Sequence, residues 1–165
     1  GFACLEIAGS AAPDASAAPL PMALRGSNVV RAGSIGGGGV QLLAAGVLRL
    51  GGREAPVPQR LLSLADQFRA LLTRFAPHEV ALEEAFYGKS VQAALRIGEA
   101  RGVVLAESAR AGLDTHQYAP ARIKRCVTGR GAARKEAVAG MLRQLVPNGA
   151  AVLPARLPVD ATDAV

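Results

Sequence analysis

Three carboxylates stand at places in the sequence where they could hold a divalent metal ion. Glu83 ends the short apolar run at residues 80–82, which predicts a buried strand. A carboxylate at the end of a buried strand costs desolvation free energy unless a cation or a hydrogen bond compensates. Asp160 and Asp163 have the three-residue spacing that places both on one face of a helix, where like charges repel unless a cation lies between them.

The chemistry of these side chains favours particular metals. Carboxylates are hard oxygen ligands that suit Mg²⁺ or Mn²⁺ rather than Zn²⁺, and His78 and His116 have no ligand partners nearby in the sequence. Two such ions can activate a water and stabilise the leaving oxygen in phosphodiester hydrolysis. A structural interpretation is also open at this point: Glu83 would mark where a strand leaves the core, and Asp160 would cap a helix.

The composition fits one domain with a polyanionic partner. The chain has 165 residues, half of them apolar, and a net charge of +6, with an isoelectric point near 10.1. This balance favours nucleic acid as the partner. Cys4 and Cys126 are far apart in sequence, which fits a reducing cytoplasm rather than a disulfide framework. No apolar run reaches the length that spans a membrane, and neither a membrane span nor a signal peptide is expected.

Apolar spacing and breaker residues predict strands alternating with helices, hence an α/β layered domain. Residues 1–6 read as the tail of a hairpin strand, residues 7–39 as a flexible low-complexity insertion, and residues 40–50 as a strand kinked at Gly46. The later predicted elements are a helix at 58–75, a strand at 79–83, a helix from the Ser90 cap to Gly112, a strand at 113–118, and helices from Pro120 and over 134–146.

Gly98 and Gly102 lie four residues apart in the helix that begins after Ser90. Such a pair lets another backbone approach closely. Two interpretations remain open: tight packing of this helix on the sheet, or a helix–helix contact in a dimer.

Five segments, in order, resemble those of the RuvC-type Holliday-junction resolvases. They are residues 80–89, residues 94–103, residues 118–124, residues 127–131 with Lys135, and the Asp-x-x-Asp-Ala at 160–164. Order and spacing agree from about Leu42 to the end of the chain. The resemblance implies a ribonuclease-H-like α/β fold with a mixed central sheet flanked by helices, a homodimer, and four carboxylates that hold two Mg²⁺ ions, with Mn²⁺ as a substitute.

Three of the four family carboxylates map onto this sequence, at Glu83, Asp160 and Asp163. The fourth belongs to an Ile-Asp-Pro-Gly motif on a first strand, which we expect just upstream of Gly1. The family's closing helix is expected to continue past Val165. Residues 1–165 alone are therefore expected to be inactive.

The resemblance also implies contacts with DNA. Phe86 matches an aromatic residue that stacks at the opened junction, although a core position is equally open. Lys124 and Lys135 match lysines near the scissile phosphate, with a solvated helix surface as the alternative. Arginines in this region are expected to contact backbone phosphates without reading sequence. The expected DNA-binding side chains are Phe86, Lys89, Arg122, Lys124, Arg125, Arg130, Arg134 and Lys135.

The function implied is a Mg²⁺-dependent endodeoxyribonuclease of the bacterial cytoplasm that resolves four-way junctions in recombination and repair, together with the RuvA/RuvB branch-migration complex. Two other functions stay open: a junction-binding module without catalysis, and a ribonuclease-H-like relative that acts on RNA.

Overall fold

The computed structural model describes residues 2–7, 28–35, 40–52, 54–84 and 91–145. These ranges hold five strands and four helices. In chain order they are β1 (Phe2–Ile7), β2 (Asn28–Ile35), β3 (Val40–Val47), α1 (Val57–Phe75), β4 (Glu79–Glu83), α2 (Val91–Arg110), β5 (Asp114–Tyr118), α3 (Pro120–Thr128) and α4 (Lys135–Leu145).

The first three strands form an antiparallel sheet with β3 in the centre, between β1 and β2. Ala44 and Ala45 of β3 are completely buried. The strand β2 lies in the segment predicted to be a flexible loop, so that prediction is wrong for Asn28–Ile35. Its backbone pairs with β3 along nearly its whole length, and this ladder supplies the order that the local composition does not. The strand β3 ends at Val47, where the sequence predicts a kinked strand over residues 40–50.

The helix α1 covers β3. Pro58 lies in its first turn, where a missing N–H costs nothing. Leu71 and Phe75, four residues apart on one face, pack against Ala44. The helix ends at Ala76, which adopts a left-handed conformation with φ 41° and donates its N–H to the carbonyl of Leu72 at 2.9 Å. This end turns the chain towards β4.

The strands β4 and β5 pair in parallel, and α2 connects them. The expectation that β4 is buried is wrong. Its side chains alternate between exposed and half-buried, with Glu79, Ala81 and Glu83 on the exposed side. Successive side chains of a strand point to opposite faces. One face of this two-stranded sheet is therefore open in the described part of the chain, and the desolvation argument for Glu83 does not apply.

An ion pair joins α1 to α2. Arg69 donates from Nε to Oε2 of Glu107 at 2.8 Å and from Nη2 to Oε1 at 3.0 Å. Glu107 is buried, with 6% of its surface exposed. The hydrogen bond from Arg69 holds the pKa of Glu107 below its ordinary value, against the opposing effect of desolvation. The fork of an arginine matches both carboxylate oxygens, so this contact fixes the two helices relative to each other.

The last two described helices lie where the sequence predicts them, with α4 described over Lys135–Leu145 against a prediction of 134–146. Pro120 starts α3, and Gly129 ends it with φ 74° while its N–H donates to the carbonyl of Arg125 at 2.9 Å. In α4, Val138 and Leu142 are buried. None of the helices in the described ranges is long and apolar enough to cross a membrane.

Candidate functional site: the carboxyl end of β4

Glu83 is the last residue of β4, as the sequence predicts. Its side chain is exposed. Among the described residues no cation lies within ion-pair distance of its carboxylate. The oxygens of Glu83 are therefore open to a ligand, which meets one requirement of a metal-binding carboxylate.

Tyr118, the last residue of β5, pairs in register with Glu83. Register partners on neighbouring strands have their side chains on the same face of the sheet, and neighbouring strands lie about 4.8 Å apart. The guanidinium of Arg122 lies over the Tyr118 ring, 5.5 Å from its centroid. A carboxylate, an aromatic ring and a guanidinium thus meet at one end of the sheet.

Pro120 explains why the sheet ends here. The N–H of Glu84 donates to the carbonyl of Tyr118 at 2.9 Å and continues the parallel ladder by one bond. The next donor on that side would come from residue 120, and proline has no N–H. The chain leaves the sheet after Tyr118 and begins α3 at Pro120.

Arg101 of α2 braces the same end of the sheet. It donates from Nη1 to the backbone carbonyl of Glu83 and from Nη2 to Oε1 of Gln117. One side chain therefore joins the helix to the last residue of β4 and to β5. Arg101 fixes the backbone of Glu83 at this end of the sheet. It forms no ion pair with the Glu83 carboxylate in the described structure.

Basic side chains continue from this end along α3 and into α4. Arg122, Arg125, Arg130, Arg134 and Lys135 are exposed, and Lys124 is half-buried. The turn that carries Arg130 is fixed by the hydroxyl of Thr128, which donates to the carbonyl of Lys124 at 2.8 Å and accepts from the N–H of Arg130 at 3.2 Å. The arrangement presents positive charge on a defined backbone, as phosphate binding requires.

The other predicted site residues lie outside the described residues: Asp160, Asp163, Phe86 and Lys89. Within the described ranges, no group of three or more His, Cys, Asp or Glu side chains could hold a metal ion. The convergence of Asp160 and Asp163 on Glu83 stays a prediction. His116, considered incidental from the sequence, contacts Glu79 at 3.0 Å across the open face of the sheet.

The contacts made by Arg101, Gln117 and Tyr118 were not predicted from the sequence. Of these contacts, only that of Tyr118 with Arg122 has a signal in the sequence: the two residues are four apart, on either side of a proline that begins a helix. The contacts of Arg101 cross from a helix to two strands and leave no local pattern.

The exposed face of α2 carries large apolar side chains. Val91 is 77% exposed and Leu95 63%. A Cβ placed on Gly98 or Gly102 would meet no atom within 4 Å. These glycines do not pack tightly on the sheet in the described structure, so that interpretation is wrong; the alternative, a helix–helix contact in a dimer, stays a prediction.

Comparison with known proteins places the sequence in a family. Residues 22–165 match the family model described as crossover junction endodeoxyribonuclease RuvC. The protein of that name from Chloroflexus aurantiacus is 43% identical over 110 residues, which cover 67% of this chain and 65% of the relative. The one from Magnetococcus marinus is 40% identical over 123 residues, 73% of this chain and 68% of the relative. The matches thus span about two thirds of these relatives' length.

Solved structures agree with the fold. Thermus thermophilus RuvC is 28% identical with a TM-score of 0.61, and the match covers 81% of this chain and 80% of that one. The same protein in complex with a Holliday-junction substrate is 26% identical with a TM-score of 0.61, covering 83% and 90%. The ribonuclease-H-like α/β fold expected from the sequence is confirmed. With a family model that matches most of its length, the chain belongs to the RuvC family of crossover junction endodeoxyribonucleases.

Proposed function

We propose that the protein is a Mg²⁺-dependent, structure-specific endodeoxyribonuclease that cuts four-way junctions in recombination and repair. One observation carries the proposal: Glu83, whose exposed carboxylate has no ion-pair partner among the described residues, pairs in register with Tyr118, at the strand end from which the chain enters the basic helix α3. The relatives are named as crossover junction endodeoxyribonucleases, and one related structure contains a Holliday-junction substrate.

Glu83, Asp160 and Asp163 are proposed to hold the metal, with Mg²⁺ preferred and Mn²⁺ able to replace it. When bound, two divalent ions supply an activated water and neutralise charge on the attacked phosphodiester. The open oxygens of Glu83 fit a hard cation, and the Arg101 contact to its backbone fixes the strand end that carries it. Lys124 and Lys135 are proposed to steady the developing negative charge.

Junction DNA is proposed to lie across α3 and α4. The arginines of this surface contact phosphates and position the duplex arms without reading base sequence. Phe86 and Lys89 are proposed to act at the opened crossover, the aromatic ring by stacking on a base. The positive net charge of +6 supports a polyanionic substrate.

A second copy of the chain is the proposed partner of the exposed face of α2. Val91 and Leu95 offer apolar area, while Gly98 and Gly102 leave room for a close backbone approach. A four-way junction has two equivalent strands to cut, which a symmetric dimer matches. Action in the bacterial cytoplasm together with the RuvA/RuvB branch-migration complex belongs to the same proposal and rests on the family.

The test compares Glu83→Gln with Glu84→Gln in the full-length protein. The two residues are adjacent, and both are exposed. We expect Glu83→Gln to lower the rate of four-way junction cleavage at least 100-fold, since a metal contributes several kcal/mol of transition-state stabilisation. Glu84→Gln should cleave like the unchanged protein. Products are measured on denaturing gels with Mg²⁺ present, with linear duplex and an RNA–DNA hybrid as competing substrates.

Undiminished junction cleavage by Glu83→Gln would overturn the proposal. Tight junction binding with no Mg²⁺-dependent cleavage by the unchanged protein would favour a non-catalytic binding module instead. Preferred cleavage of the RNA strand of the hybrid would favour the relative that acts on RNA.

A further inference from the structure

A carboxylate and a guanidinium are both placed relative to Tyr118 at the end of the sheet. Glu83 and Tyr118 are register partners, and Arg122 lies over the Tyr118 ring. Yet Arg122 forms no ion pair with Glu83 in the described structure. Other arginines of the chain do take carboxylate partners: Arg69 binds Glu107, and Arg96 binds Glu99.

The contact with the Tyr118 ring explains why Arg122 does not pair with Glu83. A guanidinium is attracted to the face of an aromatic ring, and the ring's plane then limits where the cation can lie. Arg122 follows Tyr118 by four residues, and the backbone between them is fixed by the hydrogen bond from the N–H of Arg122 to the carbonyl of Ala119 at 2.9 Å. Pro120 restricts the same turn. The guanidinium is therefore held over the Tyr118 ring, at the end of the sheet where Glu83 lies.

The pairing of open charges matches a phosphodiester attacked at a metal site. A carboxylate binds a cation, and a guanidinium binds the non-bridging oxygens of a phosphate with two parallel hydrogen bonds. Because Arg122 contacts the ring of the residue in register with Glu83, we expect the phosphate that it binds to lie near the metal that Glu83 would hold. Arg125, Arg130 and Arg134 lie further along the chain, on the continuing basic surface.

We propose that Tyr118 is a positioning residue that holds Arg122 at the scissile phosphate, so that Arg122 assists cleavage while the other arginines of the surface provide affinity. This inference rests on the proposed function, since it assigns a residue pair to the same reaction. No bond forms or breaks at either side chain. Arg122 contributes hydrogen bonds and charge, and Tyr118 contributes the orientation of Arg122.

The first experiment measures single-turnover junction cleavage and junction affinity for four variants of the full-length protein, with affinity measured in Ca²⁺ to suppress cleavage. Arg122→Ala should slow cleavage about 10-fold. Tyr118→Ala should slow it about 2- to 5-fold, the effect of losing an exposed cation–π contact. Tyr118→Phe keeps the ring and should stay within about 2-fold of the unchanged protein. Arg96→Ala, which removes a surface guanidinium already paired with Glu99, should leave both the cleavage rate and the affinity unchanged.

The cleavage rate of a double variant tests whether Tyr118 acts through Arg122. The double variant Tyr118→Ala/Arg122→Ala should cleave as slowly as Arg122→Ala alone, because Tyr118 acts only through Arg122. Equal effects of Tyr118→Phe and Tyr118→Ala would overturn the stacking role, as would fully additive effects of the two alanine substitutions. Thermal unfolding of each variant identifies any loss of rate that comes from loss of fold, and Tyr118→Phe remains informative in that case.

A second experiment does not depend on cleavage. Each phosphate at the crossover is replaced in turn by an uncharged methylphosphonate, and junction affinity is measured in Ca²⁺. At one position the replacement should weaken binding of the unchanged protein and of Arg125→Ala, but not of Arg122→Ala. If the protein shows this binding pattern but does not cut junctions, the role of Tyr118 and Arg122 in phosphate binding is supported and the nuclease proposal is refuted. Normal junction cleavage by the Arg122→Ala variant would refute the role of the Tyr118–Arg122 pair and leave the nuclease proposal intact.

Discussion

Two glutamates of this molecule have opposite environments. Glu107 lies between α1 and α2, and Glu83 lies at the end of β4. Glu107 is buried and receives two hydrogen bonds from Arg69. Glu83 is exposed, and its carboxylate has no ion-pair partner among the described residues, while Arg122 lies over the ring of its register partner Tyr118. Arg101 contacts the backbone of Glu83 and leaves its side chain open.

These two environments suit two different roles, one in holding the fold together and one in binding a ligand. A carboxylate whose charge is already balanced holds two helices together and has little left to offer a ligand. A carboxylate fixed through its backbone and left unbalanced can take a metal ion. Substitutions in the helix pair should therefore change stability, and substitutions at the strand end should change metal binding and cleavage.

The largest expected effect on stability comes from the core beneath the helix pair. Phe75 packs with Leu71 and Ala44, and 7% of its surface is exposed. Phe75→Ala should lower the free energy of unfolding by about 3–5 kcal/mol because it removes buried area and leaves a cavity. Urea unfolding measures the change. A loss below about 1 kcal/mol would show that the helix is not anchored on β3.

Removal of the cation from Glu107 comes next. Arg69→Ala leaves a buried carboxylate without its main partner, so the unfolding midpoint should fall by several degrees. Arg96→Ala is the matched control, since Arg96 pairs with the exposed Glu99 on the same helix as Glu107. A surface pair contributes little, and this variant should unfold near the midpoint of the unchanged protein. Equal midpoints for both variants would remove the distinction between the two regions.

The pH dependence of stability should follow Glu107. Its pKa is lowered in the folded protein by the hydrogen bond from Arg69. A lowered folded pKa means that the stabilisation is present above the ordinary carboxylate pKa and is lost as the pH falls below about 4. Thermal unfolding from pH 7 to pH 3 should show a smaller loss of stability in Glu107→Gln than in the unchanged protein. The same slope in both would show that other carboxylates dominate.

The smallest expected effect concerns the basic surface. Arg125→Ala should weaken junction binding for all sequences alike and reduce the slope of log affinity against log salt by about 0.9, the contribution of one phosphate contact. Arg96→Ala, with its guanidinium already paired, should leave the slope unchanged. A salt slope that Arg125→Ala does not change would place the DNA elsewhere.

The sequence predicted those elements whose cause is local. Pro58 and the apolar stripe that includes Leu71 predicted α1, and Pro120 predicted the start of α3. The strand β2 was missed because its order comes from pairing with β3 rather than from its own residues. The ion pair of Arg69 with Glu107 spans 38 residues and cannot be read from a local pattern.

The candidate site was predicted only in part. The position of Glu83 at the end of a strand was correct, and the metal that its carboxylate suggests stays a prediction. Its exposure was not predicted, because burial depends on which elements cover each face of the sheet. The relation of Tyr118 to Glu83 depends on the register of two parallel strands, which sequence spacing does not determine.

The most direct test of the central claim compares Glu83→Gln with Glu107→Gln in the full-length protein. Thermal unfolding is followed with and without Mg²⁺, because a ligand that binds only the folded protein raises its unfolding midpoint. Glu83→Gln should unfold like the unchanged protein without metal and gain no stability from Mg²⁺, while Glu107→Gln should start lower and keep the full gain. If Glu83→Gln retains the Mg²⁺-dependent gain and Glu107→Gln loses it, the assignment of metal binding to the end of β4 is wrong.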